Sequence, residues 1–387
     1  MSGANASPIG RSHQEMSGAN ASPIGRSRQE MSGANASPIG RSRQEMSGAN
    51  ASPEGRSRRA MSGANASREG RSHQAITCRI VLLVLIGSVF VSLASSAQDT
   101  RARDAIRILP VRNNVHMLVS DAGNTTVQIG EDGVVMVDTL TTPLANSLLA
   151  AVQTLSSKPI RLIISTSLTP DHIGGNAVLA AAGRKMDGTA GASIRAHTTV
   201  LQRMSASKGD NTLPVDFWPT DVYNASQWDT VANGEPILLF HEPAAHTDGD
   251  TIVFFRRSDV ISTGDLFSPD RYPQIDLEKG GSINGIVAAL NHILKLTVPE
   301  VNQEGGTMII PGHGHLCDEA DVAEYRDMVT IVRDRVQDLV KKGMSLEQVK
   351  VARLTRDYDP VYGTPKYTGD MFVEGVYRSL VKSGASR

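Results

Sequence analysis

Four short segments collect the residue types that hold metals or move protons. The first is Thr166-Ser167-Leu168-Thr169-Pro170-Asp171-His172-Ile173-Gly174-Gly175-Asn176. The second is Ala245-His246-Thr247-Asp248-Gly249-Asp250, and the third is Ser262-Thr263-Gly264-Asp265-Leu266-Phe267. The fourth is Ile310-Pro311-Gly312-His313-Gly314-His315. Each offers an imidazole, a carboxylate or both, and these two groups are the usual ligands of zinc and also serve iron or manganese.

Each segment follows a run that reads as a β-strand, and loops at strand ends are where α/β scaffolds carry catalytic residues. Strands are expected at 115–119, 125–129, 134–138, 160–165, 194–196, 237–240, 251–255, 260–263 and 308–310. Helical spacing of apolar residues marks 144–155 and 283–296, with a shorter Ala-rich helix at 177–183. Beyond Asp321, Val322, Tyr325, Val329, Val332, Val336 and Val340 recur at intervals of three and four, which is one helix face. Lys341, Lys342 and Gly343 stop that helix, and Ser345 caps the next. Strands alternating with helices indicate an α/β architecture, and no linker divides residues 98–387.

The four segments, in this order, resemble the metallo-β-lactamase superfamily over nearly all of 111–316. The resemblance implies an αβ/βα sandwich of four layers, with two sheets face to face and helices outside, followed here by extra C-terminal helices from about 319. It places the active site in a groove at one edge of the sandwich. By the same resemblance Asp171, His172, Asp265 and His313 hold one divalent cation, zinc or alternatively iron or manganese. The family's first motif reads His-x-His-x-Asp-His, whereas Ser167 and Thr169 stand in place of its first two histidines. Of the first metal's ligands only His246 and the bridging Asp265 remain, so a mononuclear site is expected.

Two carboxylates and two neutral imidazoles balance one dication and leave room for water or a substrate oxygen. Zinc lowers the pKa of bound water to about 7, which suits hydrolysis near neutral pH. His246, freed from ligation, then serves as general acid/base or as donor to a developing oxyanion. Alternatively Asp171 takes the water's proton. Ser167 and Thr169 become candidate substrate contacts. The implied reaction is hydrolysis of a small ester, lactone, lactam or phosphodiester. The alternative is a degenerate member that keeps the fold and binds a small ligand. The lost histidines weigh against the thioesterase and dioxygenase members.

Other residues have plainer readings. Asp248 and Asp250 suit loop turns. His116, His197, His241 and His292 have no partner pattern and read as structural, His315 as solvent-facing, and Cys317 as a small buried residue. The stretch from Leu213 to Trp228 is read as either a flap over the groove or a packed loop.

The first 75 residues are five copies of a 15-residue unit opening Met-Ser-Gly-Ala-Asn-Ala-Ser. Such polar, small residues cannot bury enough surface to offset ordering entropy, so disorder is expected. They read as a spacer, or as an upstream repeat reached by an early start. Residues 76–97 follow, with basic Arg68, Arg71 and Arg79 preceding an uncharged run from Ile80. This fits an export signal cleaved after Ala97, or an uncleaved anchor, and a periplasmic or secreted location. The net charge of −1 averages an arginine-rich leader and an acidic body. An acidic body excludes a nucleic-acid-coating role, whose footprint is basic.

Overall fold

The computed structural model describes residues 106–207 and 212–385. The repeats at 1–75 and the apolar run at 76–97 lie outside the described residues. Among the described residues, no helix is long and apolar enough to cross a membrane.

Seven strands form one sheet in sequence order: β1 (Arg107–Arg112), β2 (Val115–Ser120), β3 (Gly123–Ile129), β4 (Val134–Val137), β5 (Ile160–Ile164), β6 (Ser193–His197) and β7 (Asp221–Tyr223). Pairing is antiparallel from β1 to β4 and parallel from β4 to β7. The second sheet contains β8 (Gln227–Ala232), β9 (Glu235–Glu242), β10 (Asp250–Phe255), β11 (Val260–Ser262) and β12 (Met308–Ile310), with only β11–β12 parallel. Parallel neighbours need crossovers. These are α1 (Ala145–Leu155) into β5, the short α2 (Pro170–Ile173) and α3 (Asn176–Ala181) into β6, α4 (Thr198–Ala206) into β7, and α5 (Ile283–Leu296) into β12.

The strand residues alternate between two cores. Val115, Met117, Val135, Val137 and Ile164 of the first sheet meet Leu239, Val253, Phe255 and Ile310 of the second. Their neighbours Leu118, Met136 and Ile163 turn outward against Leu144, Leu148 and Val152 of the α1 region. On the far side Ile252, Phe254 and Ile261 pack under Ile286, Leu290 and Ile293 of α5. Both faces of each sheet are therefore covered. This is why β4 reads as an unbroken apolar run and not as an alternation. The four-layer αβ/βα sandwich is the architecture expected from the sequence.

The C-terminal helices are α6 (Glu319–Lys341), α7 (Leu346–Val351), α8 (Asp359–Tyr362) and α9 (Gly369–Ala385). Helix α6 starts two residues before the expected Asp321. Asp318 is its cap, and Asp321 closes a reciprocal box onto the Asp318 backbone. Ser345 caps α7 as expected.

The stretch from Leu213 to Trp228 is the packed alternative, not a flap. Trp218 donates its indole N–H to Leu213 O at 3.0 Å, Tyr223 is buried between the sheets, and the Arg195 guanidinium lies 3.7 Å over Trp228. This stretch carries β7 and the start of β8, the link between the two sheets.

Candidate metal centre

The first segment folds into one turn of helix. Pro170 fixes its start, and the Thr139 N–H is donated to His172 O at 2.8 Å. Gly175 allows that approach, since a Cβ there would collide with Thr139 O. Asn176 then ties the turn to Ser165 Oγ and Phe217 O through its Nδ2. Asp265 follows β11 on a short 3-10 turn. Gly264 adopts φ +53°, and its missing side chain leaves room for Thr166. The fourth segment leans on this turn, with Gly312 N–H donated to Gly264 O at 2.9 Å. Asn124 of β3 holds the same segment by donating Nδ2 to Pro311 O and Gly314 O. In the second segment Asp250 accepts from Thr247 N–H at 2.7 Å and from the Thr247 hydroxyl at 2.8 Å, closing the loop that presents His246.

These unrelated loops bring four side chains together. One donor atom each from Asp171, His172, Asp265 and His313 lies within 4.8 Å of all the others. His313 Nε2 is 3.0 Å from Asp171 Oδ2 and 3.5 Å from Asp265 Oδ1. His172 Nε2 is 3.0 Å from Asp265 Oδ1, yet the alignment is not that of a hydrogen bond, so this buried nitrogen has no hydrogen-bond partner. Its other nitrogen, Nδ1, lies 2.6 Å from Asp138 Oδ2. A carboxylate behind a histidine turns the remaining nitrogen toward a metal and fixes its tautomer. The donor chemistry, the convergence and the orphaned Nε2 all fit a divalent cation.

His246 stands beside this set. Its Nδ1 is 3.6 Å from Asp265 Oδ2 and 3.7 Å from Asp250 Oδ1, buried and without a hydrogen-bond partner. The two hydroxyls that replace histidines lie on the same flank. Ser167 Oγ and Thr169 Oγ1 are 2.9 Å apart, and Thr169 donates to Asp265 Oδ2 at 3.4 Å. Ser167 is buried and its hydrogen bonds go to Thr169, which gives it no base for a nucleophilic role.

Burial disfavours charge on every one of these groups, and their mutual pairing overrides it. Asp138 and Asp265 hold His172 well above its ordinary pKa. Asp171 and Asp265 raise His313, while Asp250 and Asp265 lift His246 to about 9. The histidines in turn hold Asp265 well below the usual carboxylate range and lower Asp171. Without a cation the imidazoles and carboxylates thus favour one another's charged forms.

The cluster opens into a cavity of about 250 Å³, walled by Thr169, Asp171, His246, Asp265, Arg271 and His313 among others. Arg271 is the one Lys or Arg side chain among its described lining residues, and sequence reading passed over it. Its guanidinium Nε is 3.0 Å from Asp270 Oδ1. The next residue anchors it. Tyr272 is buried, donates its N–H to Tyr362 O and its hydroxyl to Asp359 at 2.9 Å, and stacks on Phe372 at 4.9 Å. The C-terminal helices thus position the wall that carries Arg271. Past Thr169 and His246 the space continues along Ile275, Leu277, Tyr367 and Met371.

Asp138 is the second residue that sequence reading missed as functional. It was legible only as the last residue of a strand run. Asp248, expected to hold its own loop, instead pairs with Arg203 of α4 at 2.7 Å. His197 stacks on His241 at 3.4 Å, and His292 pairs with Glu242 at 2.6 Å, which are structural roles as expected.

Residues 119–313 match the model of the metallo-beta-lactamase superfamily, and the chain belongs to that superfamily. Among solved structures it is similar to a double mutant of the sec-alkyl sulfatase PisA1. That match has 16% identity and a TM-score of 0.54, covering 70% of this chain and 50% of that one. The stereoselective inverting sec-alkylsulfatase Pisa1 from Pseudomonas sp. gives 15% identity and a TM-score of 0.50 over the same shares. A metallo-beta-lactamase from Pontibacter korlensis gives 14% and 0.45, covering 58% of this chain and 99% of that one. The chain spans about half the length of the alkylsulfatases, and the likeness is one of fold. No curated protein matches it.

Proposed function

We propose that this chain is an exported hydrolase that holds one divalent cation, zinc ahead of iron or manganese, through Asp171, His172, Asp265 and His313. The observation that carries the reading is the convergence of those four donors around a buried His172 Nε2 that no hydrogen bond satisfies. When bound, the cation supplies Lewis-acid activation of water and of the substrate's acyl, phosphoryl or sulfuryl oxygen. His246 supplies the proton transfer, because it lines the cavity beside Asp265 and its Nδ1 makes no hydrogen bond. Arg271 holds an anionic group of the substrate at the cavity wall, and Thr169 offers a hydroxyl there. The substrate is a small molecule, not a nucleic acid. Esters, lactones, lactams and phosphodiesters are its classes, and the alkylsulfatase fold neighbours add sulfate esters to the panel.

The test is elemental analysis of the purified protein beside Asp171→Ala and His313→Ala, with the ester, lactone, lactam, phosphodiester and alkyl sulfate panel run on the same samples. One equivalent of cation should depend on both residues, and turnover should disappear with it. A protein that gains no cation and keeps its full thermal stability in chelator is instead a ligand-binding member of the fold. A His246→Ala variant with intact cation and undiminished turnover removes His246 from the chemistry.

A further inference from the structure

We infer a second cation site, of thiophilic type and with zinc as the natural occupant, formed by His315, Cys317 and Asp321. One donor atom from each, an imidazole nitrogen, a thiol sulfur and a carboxylate oxygen, lies within 4.8 Å of the other two. None of the three belongs to the four-donor cluster, although His315 follows His313 by two residues.

Two of the donors are fixed independently of each other. Cys317 is bridged to Ile309 in both directions, its N–H donated at 2.9 Å and its carbonyl accepting at 2.8 Å, so its backbone is an extension of the β12 sheet edge. Asp321 sits in the first turn of α6, where its Oδ2 accepts the Asp318 N–H at 3.0 Å and thereby locks its rotamer. The third donor, His315, is exposed and free to adjust. The Cys317 thiol already lies against this residue, donating to His315 O at 3.2 Å. Preorganised donors on rigid elements plus one adaptable arm make an effective chelate. The spacing His-x-Cys-x-x-x-Asp has the short-range character of zinc ligand pairs.

The surrounding charge has the sign that a cation needs. Asp321, Asp318 and Asp270 are the charged groups that act most on the thiol, and Arg271, which shares the neighbouring cavity with His315, is paired with Asp270 at 3.0 Å. A thiolate ligand favours zinc and copper(I) over calcium or magnesium, which separates this site from any hard-cation role. On binding, the sulfur–metal bond replaces the sulfur–hydrogen bond and the proton goes to solvent. The site would tie the loop 313–317 to helix α6. That loop carries His313, and His313, His315 and Asp270 line one shared cavity of about 710 Å³. The occupied site is therefore a brace on a ligand of the main centre.

Cobalt(II) added to the chelator-treated full-length protein tests this directly. The four-donor cluster has only nitrogen and oxygen ligands, so a near-ultraviolet thiolate-to-cobalt charge-transfer band reports Cys317 and not that cluster. The band should be present in the parent protein, lost in Cys317→Ser and retained in Cys78→Ser. In His315→Ala it should need at least about tenfold more cobalt. It should also persist in Asp171→Ala, which makes the result independent of whether the main centre is a metal site. A parent protein without the band, a band that survives Cys317→Ser, or a His315→Ala protein that titrates like the parent overturns the inference.

Discussion

Asp138→Asn is the most informative single change, because it alters chemistry with little change of shape. Asp138 lies at the end of β4 with φ +64°, a left-handed conformation that Asn tolerates as readily as Asp. Its carboxylate accepts from Thr166 N–H at 2.8 Å through Oδ1, and from the Thr166 hydroxyl at 2.7 Å through Oδ2. Oδ2 also faces His172 Nδ1 at 2.6 Å. An amide has one oxygen for these three donors. If that oxygen keeps the backbone N–H, the NH₂ group takes the Oδ2 position. The Thr166 hydroxyl can turn and accept, but His172 must then carry its proton on Nε2, the nitrogen aimed at the cluster. That tautomer cannot ligate a cation. Losing a charge-assisted hydrogen bond costs about 1.5–3 kcal/mol, matching the roughly 10–100-fold losses seen when such carboxylates are removed behind a ligand histidine.

The assay is zinc affinity by competition with a chromophoric chelator, paired with thermal unfolding of the zinc-free protein. A second effect runs the other way. Asp138 helps raise the His172 pKa, so its removal weakens proton competition for that nitrogen. The affinity deficit should therefore be smallest at low pH and grow as pH rises. Affinity within twofold of the parent across that range would refute the role given to Asp138. A loss of unfolding temperature alone would reduce Asp138 to a structural residue.

Four other outcomes follow from the same geometry. In the cation-free protein the His246 pKa rises from 6.5 to about 9, so roughly 3 kcal/mol is fully present below about pH 6.5 and is lost as pH climbs through about 9. His172 and His313 act in the same direction, while the depressed Asp171 and Asp265 lose their contribution as pH falls through their folded values. Denaturant unfolding in chelator should thus show stability declining from pH 7 to 9, less steeply in His246→Asn, and a rise over that interval contradicts the scheme. Arg271→Ala should raise KM about tenfold or more for anionic substrates while sparing neutral ones, with partial recovery in Arg271→Lys; equal effects on both substrate types count against the anion contact. Tyr272→Phe removes the hydroxyl bonded to Asp359 and should cost about 1–3 kcal/mol in unfolding free energy together with a raised KM, and an unchanged KM separates the C-terminal helices from the substrate wall. Replacing Ser167 and Thr169 together by His should add an equivalent of bound zinc by elemental analysis, and unchanged stoichiometry shows that this flank cannot accept a second cation.

Much of the sandwich was legible because burial on both sheet faces writes strands as unbroken apolar runs, and 134–138, 251–255 and 260–263 all proved to be strands near those bounds. Edge elements were not. β1 is largely exposed, β8 alternates with no fully buried position, and β7 is three residues long. Helix α4 carries little apolar signal over its nine residues, with only Val200 and Met204 buried. The four ligand residues could be listed from their loops and the family resemblance, yet no spacing rule brings positions 171, 265 and 313 within 4.8 Å. That requires the two sheets to close face to face. Asp138 and Arg271 escaped for a related reason. Each is brought to the site only by the fold, and neither belongs to a motif.

Asp265 divides the centre into unequal halves. Its Oδ1 faces His172 Nε2 at 3.0 Å and His313 Nε2 at 3.5 Å, while its Oδ2 faces His246 Nδ1 at 3.6 Å and Thr169 Oγ1 at 3.4 Å. The first half has two imidazoles, the added carboxylate of Asp171 and a carboxylate brace behind His172. The second has one imidazole and two neutral hydroxyls that satisfy each other. Neutral hydroxyls are poor zinc ligands beside imidazole and carboxylate. Having Ser167 and Thr169 at these positions therefore does more than remove ligands: it leaves His246, its pKa raised to about 9, as a proton carrier beside four candidate cation donors. Decay of an unused enzyme would erode both halves alike. Here the loss is confined to one half, and that half keeps the single residue best suited to proton transfer.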